Sequence, residues 1–341
     1  MLAALSPHLP GGILGVGDRY PHARHGAWRT CRLPAGEAEH LCGRTVFRTA
    51  RLAWGLRWRG AFQRRQTLFH GHSRAGLLVA LWLWWMGDHR ALATVHVLGR
   101  QRWFYRWAAI LLGEHLVWLG PGMKRHYDAG TASWQQCVPD CLPGNVAPNL
   151  PSPARPRAPR VVGCVGTLVP VKQWELALQA LALVPSTTEL RLLHAGGEDG
   201  SAESAAYARS LQQRTTALGL ATRVKWLGHV ADMAAFYRRL DVLLVPSDRE
   251  AASVAALEAI AHGVPVCAPE GGGTRDLVEA LQAGYLFPAG DSQALAALLS
   301  QLAGHLPGFR IGAPEKLRCF HSAAVSAQYA ALYQGDDQPV I

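Results

Sequence analysis

From residue 161 onward the chain alternates short, uninterrupted apolar runs with longer segments of helical periodicity. The apolar runs are VVGCVG (161–166), LRLLHAG (190–196), VKWLG (224–228), DVLLVPS (241–247) and VPVCAP (264–269). The helical segments between and after them include QWELALQALALV (173–184), SAESAAYARSLQQRTTAL (201–218), DMAAFYRRL (232–240) and TRDLVEAL (274–281). Apolar strands that alternate with helices are typical of a parallel sheet covered on both faces. This half is therefore predicted to be a Rossmann-like domain.

The first 150 residues show a weaker version of the same alternation. Strands are predicted at TLFHGHS (67–73), ALATVHV (91–97) and HLVWLG (115–120), with the apolar helix AGLLVALWLWWMG (75–87) after the first. The segment VAPNLPSPARPRAPR (146–160) has five prolines, which exclude a helix or a central strand, so it is the predicted domain linker.

The predicted fold class is therefore α/β, with two doubly wound parallel-sheet domains facing a cleft. A length of 341 residues suits two such domains. We expect residues 1–150 to form the first domain and residues 151–320 the second. Residues 321–341 are expected to form a helix and tail that pack back on the first domain.

Charge and tryptophan are concentrated in the first half. Residues 1–150 contain 18 basic and 7 acidic residues and ten of the 12 tryptophans, whereas the remainder has 16 basic and 17 acidic residues. The segment 44–66 predicts an amphipathic helix, with Phe47 and Trp54 on one stripe. Its arginine stripe contains Arg44, Arg48, Arg51 and Arg59. Two interpretations of this segment remain open: it is a surface helix with a solvated arginine face, or it is a helix attached to anionic lipid.

Several classes of protein are disfavoured by what the sequence lacks. No run approaches the ~20 apolar residues of a membrane-spanning helix, and the first residues do not resemble a secretory signal. Seven scattered cysteines indicate neither a disulfide framework nor a zinc site, so we expect a cytoplasmic protein without a metal. The basic charge comes without a recognisable nucleic-acid-binding module, and we expect no nucleic-acid partner.

Candidate chemistry lies in the loops after the predicted strands, where open parallel sheets bind ligands. GTLVPVK ends at Lys172, PSDRE ends at Glu250, and EGGGTRD covers residues 270–276. A lysine and glycines at a helix start suit a diphosphate, and carboxylates suit vicinal hydroxyls. Taken alone, Lys172 could be an ordinary solvated lysine, and the glycines of residues 270–276 could be an ordinary turn. Glu258, among alanines and leucines of the next helix, needs a partner if it is buried. Together these features favour a nucleotide sugar as ligand.

Six segments, in order, resemble the carboxyl-terminal domain of glycosyltransferase family 4 over residues ~160 to 303. They are GTLVPVK, VKWLGHV, DVLLVPSDRE, the Glu250 and Glu258 pair followed by AIAHGVPV, GGGTRDLV, and GYLFPAGD. The resemblance implies the GT-B fold and a metal-independent transfer that retains configuration at the sugar. The leaving diphosphate is then expected to help deprotonate the acceptor.

The resemblance also implies roles for matching residues. Glu250 corresponds to the glutamate that holds donor-sugar hydroxyls, and Glu258 to the one that holds ribose hydroxyls. Lys172 corresponds to the diphosphate lysine, with Glu250 and Lys172 expected at the catalytic centre. Gly272 and Gly273 correspond to the backbone turn at the sugar.

In the first half, His96 of ATVH corresponds to a histidine that reaches the donor sugar, and we count it among the catalytic residues. HGHS (70–73) resembles a segment with a mainly architectural role. Gly11 and Gly12 match a double glycine, and Gly12 is expected to lie near the donor.

The chain departs from the family pattern at the donor site. Thr167 replaces the arginine that partners Lys172 on the diphosphate, and Asp276 replaces a glutamate. Ala251, Ala252 and Ser253 replace Gly-Phe-Gly, which adds side chains where the backbone approaches the donor. We expect Thr167 and Ser253 still to contact the donor.

The resemblance therefore implies a retaining glycosyltransferase that uses a UDP-sugar or GDP-sugar and a glycan or lipid-linked acceptor. Bacterial exopolysaccharide or lipopolysaccharide biosynthesis is the expected context, at the inner face of the cytoplasmic membrane. Two alternatives stay open. One is a catalytically silent protein that binds nucleotide sugars or acts as a scaffold, and the other is a sugar-nucleotide epimerase of similar fold.

Overall fold

The computed structural model describes residues 43–62, 68–87, 90–99, 101–127, 136–143, 161–304 and 311–334. The chain divides into two compact units, one of residues 1–141 with 322–341 and the other of residues 142–321. The predicted linker 146–160 lies outside the described residues, and so do Gly11 and Gly12.

The first unit is built on a parallel sheet with the strand order β1-β2-β3-β4. Its strands are β1 (Phe69–Gly71), β2 (Ala91–Val95), β3 (Leu116–Trp118) and β4 (Gln136–Cys137). Its helices are α1 (Gly43–Phe62), α2 (Arg74–Trp85), α3 (Arg102–Leu112), α4 (Pro121–Tyr127) and, from the end of the chain, α11 (Ser322–Gln334). A 3₁₀ turn, Gly113–His115, follows α3.

The core of the first unit forms around β2, in which all five residues are buried. The hydroxyl of Ser73 accepts a hydrogen bond from the Gly76 N–H (3.0 Å) and so caps α2. Helix α11 packs through Val325 and Tyr329 in one hydrophobic cluster with residues of the sheet. A segment from the end of the chain is thus part of the first unit's core.

The second unit carries the larger parallel sheet, of order β10-β9-β8-β5-β6-β7. Its strands are β5 (Val161–Val165), β6 (Arg191–Ala195), β7 (Val224–Trp226), β8 (Val242–Leu244), β9 (Val266–Pro269) and β10 (Gly284–Phe287). Its helices are α5 (Trp174–Leu183), α6 (Ala202–Ala217), α7 (Met233–Tyr237), α8 (Val254–Ala261), α9 (Gly273–Leu281) and α10 (Ser292–Gly304), with 3₁₀ segments at Pro170–Lys172, Ser186–Thr188 and Pro314–Phe320. The alternation predicted from residue 161 onward is confirmed.

The order of these strands creates a topological switch point. From β5 the chain runs outward through β6 to β7 and then returns to β8 on the other side of β5. The loops after β5 and β8 therefore diverge to opposite faces and leave a crevice at the carboxyl ends of the two strands. Lys172 and Glu250 lie in those two loops.

The helix expected at residues 44–66 is confirmed as α1 up to Phe62, and residues 63–66 lie outside the described part of the structure. The apolar stripe of α1 points away from the core. Thr49 is buried and its hydroxyl donates to the Thr45 carbonyl (2.9 Å), whereas Phe47 and Trp54 are exposed beside Arg51. The side chains of Arg44 and Arg59 are outside the described part of the structure. None of the described helices combines the length and the apolar character that a membrane crossing requires.

A buried histidine makes the second unit sensitive to acid. His194, on β6, is almost completely buried between Trp174 and Trp226, with ring centroids 4.7 and 5.0 Å away. Burial lowers the pKa of His194 from 6.5 to about 4. The unfolded chain takes up this proton below pH 6.5, whereas the native protein takes it up only near pH 4. Stability is therefore lost as the pH falls through this window.

Replacing His194 with Phe tests this expectation. Between pH 7 and pH 5, His194 should reduce the free energy of unfolding by about 2 kcal/mol. His194→Phe keeps an aromatic ring between the tryptophans and removes the titrating group, so its denaturant midpoint should fall less over the same range. Parallel urea titrations of both proteins measure the difference. An identical pH dependence would show that His194 does not contribute.

Candidate functional site

The loops after β5 and β8 are joined by an ion pair. Lys172 Nζ lies 2.5 Å from Glu250 Oε1, and the two side chains are 29% and 14% exposed. Gln173 donates through Nε2 to Asp248 Oδ1 (2.9 Å), and the Ser247 hydroxyl donates to the carbonyl of Val171 (2.8 Å). Three side-chain contacts thus hold the two loops at the switch point.

Gln173 adopts a backbone conformation that is uncommon for a residue with a side chain. Its φ is 56° and its ψ is 39°, which is the left-handed region. Gln173 lies between the 3₁₀ turn that ends at Lys172 and the first residue of α5. The bond from Gln173 to Asp248 helps to hold this strained position, next to the ion pair of Lys172 with Glu250.

The glycine turn after β9 packs directly on the loop that carries Glu250. The Gly273 N–H donates to the Glu250 carbonyl (2.7 Å). A Cβ atom on Gly273 would lie 1.7 Å from the Ala251 carbonyl oxygen, so only glycine fits there. Gly272 has a φ of 77°, which also favours glycine. The structure therefore brings together Lys172, Glu250, Gly272 and Gly273.

This turn begins helix α9, whose first N–H groups have no partner within the helix. Thr274, in its first turn, is fully buried, and its Oγ1 has no hydrogen-bond partner among the described residues. A helix N-terminus carries partial positive charge, and free N–H groups with a lysine nearby suit an anion.

Glu258 lies further along the chain, in α8, and it is half-buried. Its Oε2 accepts a hydrogen bond from the Tyr237 hydroxyl (2.8 Å). Tyr237 is fully buried and stacks on His262, with ring centroids 5.1 Å apart. Burial, followed by the charge of Glu258, raises the pKa of Tyr237, so the phenol keeps its proton and remains a donor. The sequence indicated that Glu258 needs a partner and did not identify Tyr237.

Two further residues that were predicted to contact the nucleotide sugar make hydrogen bonds within the protein. Ser253 is the N-cap of α8, where its hydroxyl accepts from the Ala256 N–H (3.2 Å). The carbonyl of Thr167 accepts a hydrogen bond from the indole N–H of Trp174 (3.0 Å). Neither contact supplies the positive charge that an arginine at position 167 would bring.

In the first unit, His96 follows β2 and pairs with another histidine. His96 Nε2 and His72 Nδ1 are 2.9 Å apart, so one nitrogen donates and the other accepts. Burial lowers the pKa of both imidazoles, that of His72 to about 3, while the charge of Asp140 acts in the opposite direction on His96. Both rings are therefore neutral at pH 7, and His72 fixes one nitrogen of His96.

His70 forms a separate network with helix α11. Its Nδ1 contacts the Tyr333 hydroxyl (2.6 Å), and its Nε2 contacts the hydroxyl of Thr94 (2.8 Å). Thr94 in turn contacts the Tyr329 hydroxyl at 3.1 Å. These bonds fasten α11 to strands β1 and β2.

Comparison with known proteins finds a family match within the second unit. Residues 159–305, less than half of the chain, match the family model described as glycosyl transferases group 1. A lipopolysaccharide core biosynthesis mannosyltransferase from Rhizobium leguminosarum bv. viciae is 33% identical over 136 residues, which are 40% of this chain and 38% of that protein. The chain thus matches about two fifths of the length of this relative.

Two solved structures resemble more than nine tenths of the chain. Sucrose-phosphate synthase from Thermosynechococcus elongatus has a TM-score of 0.73 at 21% identity, covering 97% of this chain and 90% of that one. Anabaena HepE in complex with UDP and glucose has a TM-score of 0.65 at 19% identity, covering 92% and 87%. With its two parallel-sheet α/β units the chain has the GT-B fold, and residues 159–305 are similar to a group 1 glycosyltransferase domain.

Proposed function

We propose that this chain is a glycosyltransferase that transfers a sugar from a nucleotide-diphosphate donor to a glycan or lipid-linked acceptor. The observation that carries the proposal is the ion pair of Lys172 and Glu250 at the switch point, packed against the glycine turn that begins α9. A cation, a helix N-terminus and a carboxylate within one crevice suit a diphosphate linked to a sugar.

Each charged group has one task in this proposal. Lys172 exchanges Glu250 for the diphosphate, and the N–H groups of α9 that follow Gly273 bind the diphosphate oxygens. Glu250 then accepts hydrogen bonds from sugar hydroxyls. Because Tyr237 holds one oxygen of Glu258, the other oxygen is available to the ribose hydroxyls. For His96, the family 4 resemblance supports contact with the donor sugar.

The donor is proposed to be a UDP-sugar or a GDP-sugar. The resemblance to HepE, which binds UDP and glucose, supports a nucleotide sugar. We assign no metal to the site, because Lys172 and the helix N-terminus offer positive charge to the diphosphate. The family 4 resemblance supports a retaining transfer in which the leaving diphosphate takes the acceptor proton.

The acceptor is proposed to belong to lipopolysaccharide or exopolysaccharide assembly, and the Rhizobium relative, a mannosyltransferase of lipopolysaccharide core biosynthesis, supports the first of these. Such acceptors are presented at a membrane. Helix α1 exposes Phe47 and Trp54 together with Arg48 and Arg51, which supports attachment of residues 44–66 to anionic lipid at the inner face of the cytoplasmic membrane.

Changes at Glu250 and Lys172 test the proposed site. Lys172→Met should weaken UDP binding about 10- to 100-fold, because a charge-assisted contact to phosphate is lost. Glu250→Ala should abolish both sugar transfer and donor hydrolysis. Calorimetry measures binding, and nucleotide release from a panel of nucleotide sugars measures turnover.

The matched control is Glu279→Gln, which removes a glutamate of α9 that pairs with Arg275 on the surface (2.8 Å). It should leave binding and turnover unchanged. Full transfer by Glu250→Ala would contradict the proposal. A wild-type protein that binds nucleotide sugars and never turns them over would favour the silent binding protein instead.

Restoring the missing arginine is a second test. Thr167→Arg should strengthen UDP binding about tenfold, because a second cation reaches the diphosphate, and it should leave uridine binding unchanged. The control is Val171→Arg, in the same loop. Val171 is 47% exposed, so this variant adds the same charge at a position where no arginine is expected to contact the diphosphate. An equal increase in UDP affinity in both variants would show a general effect of charge. It would contradict the proposal that position 167 lies at the diphosphate.

A further inference from the structure

Helix α3 of the first unit exposes a stripe of large apolar side chains. Trp103 and Trp107 are 65% and 60% exposed, Ile110 is 69% exposed and Leu111 is 41% exposed. Their spacing of i, i+4 and i+7 or i+8 places them along one side of the helix.

The other side of α3 already belongs to the core. Phe104, Tyr105, Ala108, Ala109 and Leu112 are buried, and the ring of Tyr105 packs 4.4 Å from that of Tyr127. The helix is therefore apolar on both sides. A helix of that kind is normally covered on both sides, and a contiguous stripe of exposed apolar side chains marks a binding surface.

The charge on this side of the helix is entirely positive. The two polar residues of α3 outside its core face are Arg102 and Arg106, and the helix has no acidic residue. Among the described residues of the first unit, Glu114 and Asp140 are the acids. Glu114 lies in the turn after α3, near His115 (3.9 Å), and Asp140 lies beside His96.

The second unit provides a contrast. Its exposed large apolar residues are aliphatic and lie on four separate segments: Val171, Leu183, Leu218 and Val254. The exposed aromatic residues among the described ones all lie in the first unit, on α1, α2 and α3. Tryptophan favours the membrane interface, where its ring is half in an apolar and half in a polar environment. Arginine beside exposed tryptophan favours anionic lipid headgroups.

We propose that α3 docks on an anionic lipid bilayer, with Trp103, Trp107 and Ile110 inserted at the interface and Arg102 and Arg106 on lipid phosphates. This deepens the membrane attachment stated under Proposed function, because it adds a second element to α1. It rests on that membrane location and does not rest on the transfer reaction.

Co-sedimentation with vesicles tests the surface. Wild-type protein should bind phosphatidylcholine vesicles that contain phosphatidylglycerol much more tightly than vesicles of phosphatidylcholine alone. Trp103→Ala with Trp107→Ala should lower the partition coefficient about tenfold or more, since apolar insertion is lost. Arg102→Gln with Arg106→Gln should lower it about 30-fold on the anionic vesicles only.

Two double variants of the second unit are matched controls. Leu183→Ala with Leu218→Ala removes exposed apolar side chains, and Arg209→Gln with Arg214→Gln removes two exposed arginines of α6. Both should bind vesicles as wild type does. Circular dichroism and the melting temperature check that every variant is folded. If the alanine variant does not fold, the double variant Trp103→Phe with Trp107→Phe replaces it. Its tryptophan fluorescence should be quenched less by brominated lipids than that of wild type.

Unchanged vesicle binding by the α3 variants would overturn the proposal, as would equal binding to both kinds of vesicle. A dimer that the tryptophan variants convert to monomer, without effect on vesicle binding, would assign the surface to a second copy and also overturn it. Vesicle binding requires neither donor nor acceptor. Loss of binding in the α3 variants of a protein that transfers no sugar would therefore support this surface and overturn the proposed reaction.

Discussion

The ion pair between Lys172 and Glu250 is the contact around which the second unit's crevice is organised. The loops that carry these residues leave the sheet at β5 and β8, where the strand order reverses, and few backbone bonds connect such loops. A partly buried ion pair is costly to break from one side only, because the remaining charge loses its partner. The pair therefore keeps the two loops together and holds the Lys172 side chain in place for an anion.

The other contacts of the crevice depend on this arrangement. The Glu250 carbonyl accepts the N–H that begins α9, so the position of Glu250 also sets the position of the glycine turn. Ser247 and Asp248 bind the loop that leads to Lys172. A ligand that binds Lys172 in place of Glu250 would free the Glu250 carboxylate to accept hydrogen bonds from the hydroxyls of that ligand. The ion pair would then be formed without a donor and broken when a donor is bound.

Most of the second unit could be predicted because its elements are local. Continuous apolar runs mark the strands, and the candidate residues lie next to strand ends in the sequence. Tyr237 could not be identified as the partner of Glu258, nor His72 as the partner of His96, because each pair is more than 20 residues apart and meets only through packing. Periodicity showed that Glu258 would be costly to bury and gave no indication of which donor would reach it.

The first unit was harder to predict for a different reason. Helix α3 carries large apolar residues on both sides, and α1 carries exposed large apolar residues, so the pattern does not show which side of either helix is buried. In α1 the core side contains Thr45, Thr49 and Ala53, and the tryptophans face outward. Only the fold shows that the arginine-rich side is also the aromatic side.

Hydrogen exchange with and without UDP or GDP tests the central claim most directly. If the crevice between β5 and β8 is the donor site, nucleotide should slow amide exchange in three segments, residues 166–173, 247–254 and 270–276. Exchange in α6 and α10, which lie elsewhere in the second unit's sequence, should not change. Nucleotide binding that leaves those three segments unprotected, or that protects other segments instead, would contradict the account.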